Sequence, residues 1–263
     1  MAYENIIFEE KEGITTIVFN RPKALNALNS SLLKEFSEAL DKIEDNEDIR
    51  ILILTGAGNK AFVAGADITE LAKCDVLSGK IFAKIGQAAI NKLQKLSIPV
   101  IAAVNGYALG GGCEIAIASD FIYASQDAMF GLPEITLGLI PGFGGTQRLP
   151  RQIGKNMAKE MIFTGKMISA DKAKEIGLVN KIVSPDTLME EVLKTAKSIS
   201  SKGKVSLRAA KESINYGMET DSKTGCKFEI DAFALCIASE DAKEGTSAFL
   251  EKRKPTFKGR LNG

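Results

Sequence analysis

The chain has 263 residues, of which 45% are hydrophobic and 25% charged, and its formal net charge is +1. This is the mix of a globular protein with a substantial core, and the near-neutral charge argues against nucleic acid as a partner. No run of about 18 apolar residues occurs and the N-terminus lacks a signal pattern, so we expect no membrane span and a cytoplasmic location.

The sequence contains no histidine. Serine–histidine and cysteine–histidine catalysis are therefore excluded, as are zinc sites of the HExxH type. General acid–base chemistry is left to Glu, Asp, Lys, Tyr or Cys. The four cysteines, Cys74, Cys113, Cys226 and Cys236, show no CxxC spacing. We expect them to be reduced and mostly packed in the protein.

The first half of the chain alternates short apolar runs with stretches of helical periodicity. The predicted strands are residues 6–9, 14–19, 51–54, 100–104 and 121–124, the first two forming a hairpin. The predicted helices are residues 30–43, 80–96 and 114–118. Residues 56–67, rich in Gly and Ala, are predicted as a loop. This alternation indicates βαβ units around a parallel sheet, so the fold class is α/β.

The second half is predicted to be mainly helical. The predicted helices are residues 187–200, 206–218, 224–237 and 241–252. We expect residues 1–200 to form the α/β core and residues 201–263 to form a helical appendage rather than an independent domain.

Nine of the 24 glycines fall between Gly106 and Gly145. Such clustering indicates tight turns and close backbone approach, although ordinary βα loops explain it about equally well. The glycines do not fit GxGxxG, and no GxxxxGK[ST] occurs, which disfavours a Rossmann nucleotide site and a P-loop.

The turn at 110–112 lies between a predicted strand and a predicted helix. Free backbone N–H groups at such a helix start stabilise negative charge and can form an oxyanion site. Glu114 would then lie in the first helical turn beside that site. An exposed carboxylate favoured by the helix dipole is the commoner alternative. The apolar runs 100–104 and 115–118 weaken it, because they predict a buried environment.

Twenty residues later, Glu134 follows Pro133 within an apolar stretch. A carboxyl in apolar surroundings keeps a raised pKa, and two carboxyls facing one cavity can divide acid and base roles. From spacing alone, a surface glutamate in a loop is at least as good an interpretation.

Together these segments resemble the enoyl-CoA hydratase (crotonase) family, and most closely its short-chain members. The matching segments are residues 20–28 (NRPKALNAL), 60–68 (KAFVAGADI), 99–114 (PVIAAVNGYALGGGCE), 130–134 (FGLPE), 141–149 (PGFGGTQRL) and 249–254 (FLEKRK). They occur in order along almost the whole chain, which makes the resemblance specific.

The resemblance implies a role for individual residues. Glu114 and Glu134 match the family's catalytic glutamates, and the backbone N–H groups of Ala66 and Gly111 match its oxyanion hole. The implied coenzyme A and substrate contacts are Lys23, Ala24, Leu25, Ala64, Gly65, Asp67, Ile68, Gly110, Pro133 and Gly142. Basic residues near 252–258 are implied to meet the phosphates, across a subunit boundary.

The resemblance also implies the fold, the assembly and the reaction. The fold is a crotonase-like α/β spiral of ββα units with a C-terminal helical trimerisation region, assembled as a homo-hexamer, a dimer of trimers. The reaction is reversible hydration of short-chain trans-2-enoyl-CoA, as in fatty acid or butanoate metabolism. It needs no metal and no separate cofactor, since coenzyme A is part of the acyl-CoA substrate.

The alternatives are an enoyl-CoA isomerase or another acyl-CoA reaction on the same fold, a non-catalytic acyl-CoA-binding or assembly protein of that fold, and a serine peptidase of a related fold. An enoyl-CoA isomerase often lacks the second glutamate, and a non-catalytic acyl-CoA binder would be expected to lose one or both. A serine peptidase needs histidine and is set aside. One departure from many hydratases is Leu132, where they carry Gln, which leaves the rate and the pH optimum open.

Overall fold

Ten strands form two sheets in the part of the chain that the structure, a computed structural model, describes, namely residues 3–259. The strands are β1 (Ile6–Lys11), β2 (Ile14–Phe19), β3 (Ile51–Gly56), β4 (Ala61–Ala64), β5 (Val100–Val104), β6 (Tyr107–Leu109), β7 (Phe121–Ser125), β8 (Met129–Gly131), β9 (Ile168–Ser169) and β10 (Lys181–Val183).

Eleven α-helices occur over the same residues. They are α1 (Ser30–Glu44), α2 (Ile68–Leu71), α3 (Val76–Lys95), α4 (Gly111–Ala118), α5 (Gly145–Ile153), α6 (Lys155–Thr164), α7 (Ala170–Glu175), α8 (Leu188–Ser200), α9 (Lys204–Gly217), α10 (Ser222–Ala238) and α11 (Glu240–Leu250). Short 3₁₀ turns span Pro22–Ala24, Pro133–Leu137 and Pro185–Thr187.

The larger sheet has the order β1-β2-β3-β5-β7-β10, and only its β1–β2 pair is antiparallel. That pair is the predicted hairpin, and its two-residue turn has positive φ at both Glu12 and Gly13. Such a turn matches the right-handed twist of the two strands. The smaller sheet has the order β4-β6-β8-β9, with the first three strands parallel.

The central strands β3 and β5 are buried along their whole length. Alternate residues face opposite sides of the sheet. Leu52, Leu54 and Ala102 belong to the main core with α1 and α3, whereas Ile53 and Ile101 pack against α8. Cover on both faces explains why these strands are continuous apolar runs and not alternating ones.

The sequence prediction was wrong for residues 56–67. Residue 56 ends β3 and residues 61–64 form β4, so only the remainder is loop. The strand is four residues long and lies among glycines, too short for a period of two to stand out. The sequence likewise does not predict the short strands β6, β8, β9 and β10 or the helices α2, α5, α6 and α7.

The other predicted strands and helices are confirmed, with ends that shift by a few residues. Helix α9 lies against the core: the Lys211 ammonium is 2.9 Å from an Asp120 carboxylate oxygen, and the Lys204 ammonium is 2.8 Å from the Glu47 carbonyl oxygen. The division at residue 200 stays a prediction, and the last four residues of its second part lie outside the described residues. Between residues 3 and 259, no helix is long and apolar enough to cross a membrane.

Candidate active site

Three parallel strands of the smaller sheet end side by side. The register pairs Ala64 of β4 with Leu109 of β6, and Leu109 with Gly131 of β8. Parallel strands have their carboxyl ends at the same edge, so the segments that follow these three residues are neighbours. All four residues with predicted catalytic roles lie just beyond these strand ends.

Two free backbone amides follow the first two strands. Ala66 and Gly111 each lie two residues beyond the paired Ala64 and Leu109. Within residues 3–259 neither N–H donates a hydrogen bond to the protein. Gly111 is the first residue of α4, where N–H groups lack intrahelical acceptors and the helix dipole is positive. The pair is therefore available to an oxygen that carries negative charge.

Arg21, which the sequence analysis does not single out, fixes the segment around Ala66. The Arg21 guanidinium donates to the Ala27 carbonyl at 2.6 Å and to the Asp67 carboxylate at 2.9 Å. Asp67 also accepts hydrogen bonds from Thr69, and these together with Arg21 lower the pKa of its carboxyl. Arg21 lies in the matching segment 20–28, but 46 residues separate it from Asp67, and no sequence pattern pairs them.

Glu114 lies in the first turn of α4 and is 1% exposed. Its Oε1 accepts hydrogen bonds from the backbone amides of Phe143 at 2.8 Å and Gly145 at 2.6 Å. Burial raises the pKa of the Glu114 carboxyl to about 7; the two amides oppose the rise, and the nearby negative charge of Glu134 adds to it. Glu114 is thus a carboxyl that can gain and lose a proton near neutral pH.

Glu134 is the second residue of the 3₁₀ turn that follows β8, and it is half-buried. Its Oε2 is buried and has no hydrogen-bond partner among the described residues. Burial raises the pKa of this carboxyl too. An unpaired buried carboxylate oxygen is costly, so it is best explained by a group or a proton that the site receives.

Gly110 is what lets the Glu134 carboxyl approach the start of α4. Its φ is +49°, and a Cβ there would lie 2.8 Å from Glu134 Oε1. A side chain at this position would therefore be strained and would displace the carboxyl. Gly110 thus lets the second glutamate lie close to the start of α4, where the free amide of Gly111 is.

Leu132 is fully buried beside Glu114. A Cβ placed on Gly145 would lie 3.0 Å from Glu114 Oε1 and 3.1 Å from Leu132 Cδ1, which puts both groups around the same point. An apolar side chain here adds to the desolvation of the carboxyl and offers it no hydrogen bond.

The predicted coenzyme A contacts fall in residues 23–25 and in the segments that follow three strands of the smaller sheet. Residues 23–25 lie against the end of β4, where the Ala64 amide donates to the Leu25 carbonyl at 3.0 Å. Lys23 and Leu25 line a cavity of about 300 Å³. The other predicted contacts, Gly65, Asp67, Ile68, Gly110, Pro133 and Gly142, follow β4, β6 and β8.

The basic segment 252–258 is not brought to this site within the described part of one chain. Its described side-chain contacts are with α11 and its end, where Arg253 pairs with Glu244 and Glu251.

No group of three or more His, Cys, Asp or Glu side chains that could hold a metal ion occurs among residues 3–259. The cysteines are free; Cys113 is buried and Cys226 is exposed, so the packed state predicted for most of them is only partly met.

Residues 9–260 match the family model described as Enoyl-CoA hydratase/isomerase. The chain belongs to this family. It is 49% identical over 257 residues to a protein named crotonyl-CoA hydratase from Syntrophomonas wolfei, covering 98% of this chain and 99% of that one. It is 48% identical over 254 residues to the short-chain-enoyl-CoA hydratase of Clostridium acetobutylicum, covering 97% of each.

Solved structures give the same result for the fold. The crystal structure of an enoyl-CoA hydratase from Bacillus anthracis aligns with a TM-score of 0.95 at 43% identity, over 97% of this chain and all of that one. A Geobacillus kaustophilus enoyl-CoA hydratase structure aligns with a TM-score of 0.93 at 42% identity, over 98% and 99% of the two chains. The predicted crotonase-like α/β fold is confirmed.

Proposed function

We propose that this protein catalyses the reversible addition of water to short-chain trans-2-enoyl-CoA, giving 3-hydroxyacyl-CoA. The enzyme is a hydro-lyase. The observation that carries the proposal is the pairing of Glu114 and Glu134, both with raised pKa values, beside the free amides of Ala66 and Gly111. The relatives named as crotonyl-CoA and short-chain-enoyl-CoA hydratases favour a short acyl chain.

The two amides act on the thioester oxygen. Attack of water on C3 of the enoyl group moves negative charge through C2 to that oxygen. Donors fixed before the reaction stabilise this charge without reorganising, at roughly 2.7–4 kcal/mol for each donor. The amides of Ala66 and Gly111 take this role, and the dipole of α4 supports it.

The two glutamates handle the protons. One takes a proton from water as it attacks C3, and the other delivers a proton to C2; in dehydration the steps reverse. Each contributes about 10²–10⁴-fold. The negative charge of Glu134 raises the pKa of the Glu114 carboxyl, so we treat the apparent pKa values as belonging to the pair.

Coenzyme A is bound as part of the substrate, and no separate cofactor takes part. Lys23, Ala24 and Leu25 hold its pantetheine and adenine together with residues 64–68. Gly110, Pro133 and Gly142 line the acyl end. The exposed Lys23 ammonium suits an anionic phosphate, while the backbone of the segment after β4 suits the pantetheine amides.

The functional assembly is a homo-hexamer, a dimer of trimers. Support comes from the apolar side chains that α9, α10 and α11 leave exposed, among them Ile230, Phe233, Leu235, Phe249 and Leu250. Exposed apolar patches of this kind mark protein–protein interfaces. The basic segment 252–258 would reach a coenzyme A phosphate only across such an interface. The cytoplasmic location and the role in fatty acid or butanoate metabolism stay predictions.

The test follows the enoyl-thioester ultraviolet absorbance of crotonyl-, hexenoyl- and decenoyl-CoA mixed with purified protein. Rapid loss with crotonyl-CoA and formation of 3-hydroxybutyryl-CoA is the expected result, with slower loss for longer chains. Binding without loss for all three would contradict the proposal. A shift of the double bond without water addition would instead identify an isomerase.

A further inference from the structure

One face of α3 carries three amide side chains directed at the segment after Glu134. Gln87, Asn91 and Gln94 are spaced at helical intervals and so lie on one side of the helix. The Gln87 amide donates to the Gly142 carbonyl at 2.9 Å. Asn91 and Gln94 accept from the guanidinium of Arg148, at 2.6 Å from Nη2 and 2.8 Å from Nε.

The same guanidinium reaches the residue that holds Glu114. Nη1 of Arg148 donates to the Phe143 carbonyl at 3.0 Å, while the Phe143 amide donates to Glu114 Oε1 at 2.8 Å. One residue therefore separates the arginine from the catalytic carboxylate. All three nitrogens of the half-buried Arg148 guanidinium donate a hydrogen bond, which fixes the orientation of the group.

Two glycines make room for this arrangement. Gly144 has φ +108°, and a Cβ there would lie 2.1 Å from Arg148 Nη1. Gly86 of α3 lies so close to the Phe143 ring that a Cβ would come within 2.2 Å of it. Phe143 is thus held on its ring by α3, on its carbonyl by Arg148 and on its amide by Glu114.

We propose that Arg148 is a positioning residue for the hydration reaction: by holding the Phe143 carbonyl, it aims the amides of Phe143 and Gly145 at Glu114 Oε1. This inference rests on the function proposed above. Arg148 touches no substrate atom in this role. It keeps the carboxylate in one orientation through the turn of chain between the 3₁₀ segment and α5.

The charge of Arg148 adds a second effect that can be measured. The groups that act on the pKa of Glu114 are Glu134 from the 3₁₀ turn, the two amides and Arg148 from α5, and Arg148 lowers it. Arg148 itself has the negative charges of Glu114 and Glu219 nearby. Removing the positive charge therefore raises the pKa of Glu114, which moves the acid limb of the activity profile to higher pH when Glu114 is the base that takes the proton from water.

The test compares Arg148→Gln with Arg151→Gln. Arg151 lies on the same helix but is more exposed; it donates to the Gln147 carbonyl and pairs with Glu219. We expect Arg148→Gln to lower kcat at least about tenfold, since small misplacements of catalytic groups are costly. The KM for crotonyl-CoA should stay within about threefold, and the acid limb should move to higher pH. Arg151→Gln should resemble the wild type in all three.

Two further variants separate position from charge and guard against misfolding. Arg148→Lys should restore the acid limb but little of kcat, because an ammonium cannot make the three directed bonds of the fork. The double variant Asn91→Ala with Gln94→Ala keeps the arginine, frees its fork and should lower kcat with the limb nearly unmoved. The inference is overturned if Arg148→Gln, or this double variant when Arg148→Gln does not fold, keeps kcat within twofold of Arg151→Gln.

A readout without turnover keeps the two proposals distinguishable. Isotope-edited infrared titration of the glutamate carboxyls, assigned with Glu114→Gln, reports the ionisation of Glu114 directly. A higher ionisation pH in Arg148→Gln shows that Arg148 acts on Glu114 even if crotonyl-CoA is not the substrate, while the kcat of the double variant tests the positioning role. An unchanged titration in an Arg148→Gln variant that folds overturns it, while an inactive wild type sinks only the proposed reaction.

Discussion

The surroundings of Glu114 have opposite effects on the pKa of its carboxyl. Burial beside Leu132 favours the neutral acid, whereas the amides of Phe143 and Gly145 favour the charged form. The balance leaves a pKa of about 7, within reach of both states at neutral pH. A carboxyl poised in this way suits proton transfer better than one fully stabilised in either form.

This balance makes folding stability depend on pH at one residue. The pKa of Glu114 is about 7 in the folded protein and about 4.5 when unperturbed. Between these values the folded chain keeps a proton that the unfolded chain has lost, so stability falls as pH rises through this window. Glu114→Gln removes the dependence. Relative to that variant, the wild type should lose up to about 3 kcal/mol of unfolding free energy between pH 5 and pH 8.

Urea unfolding at several pH values measures this difference. Glu160→Gln, at an exposed position of α6, serves as the control and should follow the wild type at every pH. The difference in unfolding free energy between the wild type and Glu114→Gln could instead stay constant, or grow in favour of the wild type, as pH rises. Either result would show that the pKa of Glu114 is not raised in the folded state.

At the scale of elements, sequence patterns found the buried frame and missed the small sheet. Strands β3 and β5 are long, continuous apolar runs and were predicted. Strands β4, β6 and β8 have four, three and three residues, too few for periodicity to register. The site depends on their shared register, so its residues were found from the glycine turn and the family resemblance rather than from the predicted elements.

Several site features had no signal in the sequence at all. The contact of Arg21 with Asp67 and that of Arg148 with Phe143 depend on how distant segments pack. The absence of histidine, by contrast, directs attention to carboxyls, since it leaves few other acid–base groups. The catalytic roles themselves stay predictions until variants are measured.

Helix α4 carries both Gly111 and Glu114. Gly112 lets this helix pack closely against the backbone of β4. A Cβ on Gly112 would lie 2.0 Å from the Val63 carbonyl oxygen, a backbone atom that cannot move cheaply. We expect Gly112→Ala to destabilise the fold by several kcal/mol, beyond the usual range for single substitutions. Gly217→Ala, where a Cβ would meet nothing within 4 Å, should be neutral or stabilising. Thermal unfolding of both variants checks this, and equal melting temperatures would contradict the packing argument.

At the scale of the whole molecule, the C-terminal helices of the single chain expose large apolar side chains. Helix α10 has no buried residue, although it carries large apolar side chains: Phe233 is 67% exposed and Leu235 is 72% exposed. A helix that is apolar on its exposed faces is normally covered by another surface. This supports the proposed assembly, in which the segment 252–258 would find further partners in another subunit.

Phe233→Glu tests the assembly. A charge placed in a buried apolar interface is unfavourable, so the variant should shift the mass in solution from the hexamer toward smaller species. Helix content should change little, because the side chain is exposed in the single chain. Phe233→Leu keeps an apolar contact and should stay hexameric. Sedimentation that shows one mass for all three proteins would place the interface elsewhere or rule it out.

The central claim is that two glutamates at one site carry the reaction of a short-chain enoyl thioester. Its most direct test is the rate of crotonyl-CoA hydration by Glu114→Gln and by Glu134→Gln, beside the binding constant of each for the acyl-CoA. We predict that each rate falls by about 10²–10⁴-fold while binding stays within a few-fold. If both variants kept nearly full activity, the paired-carboxyl account would be wrong.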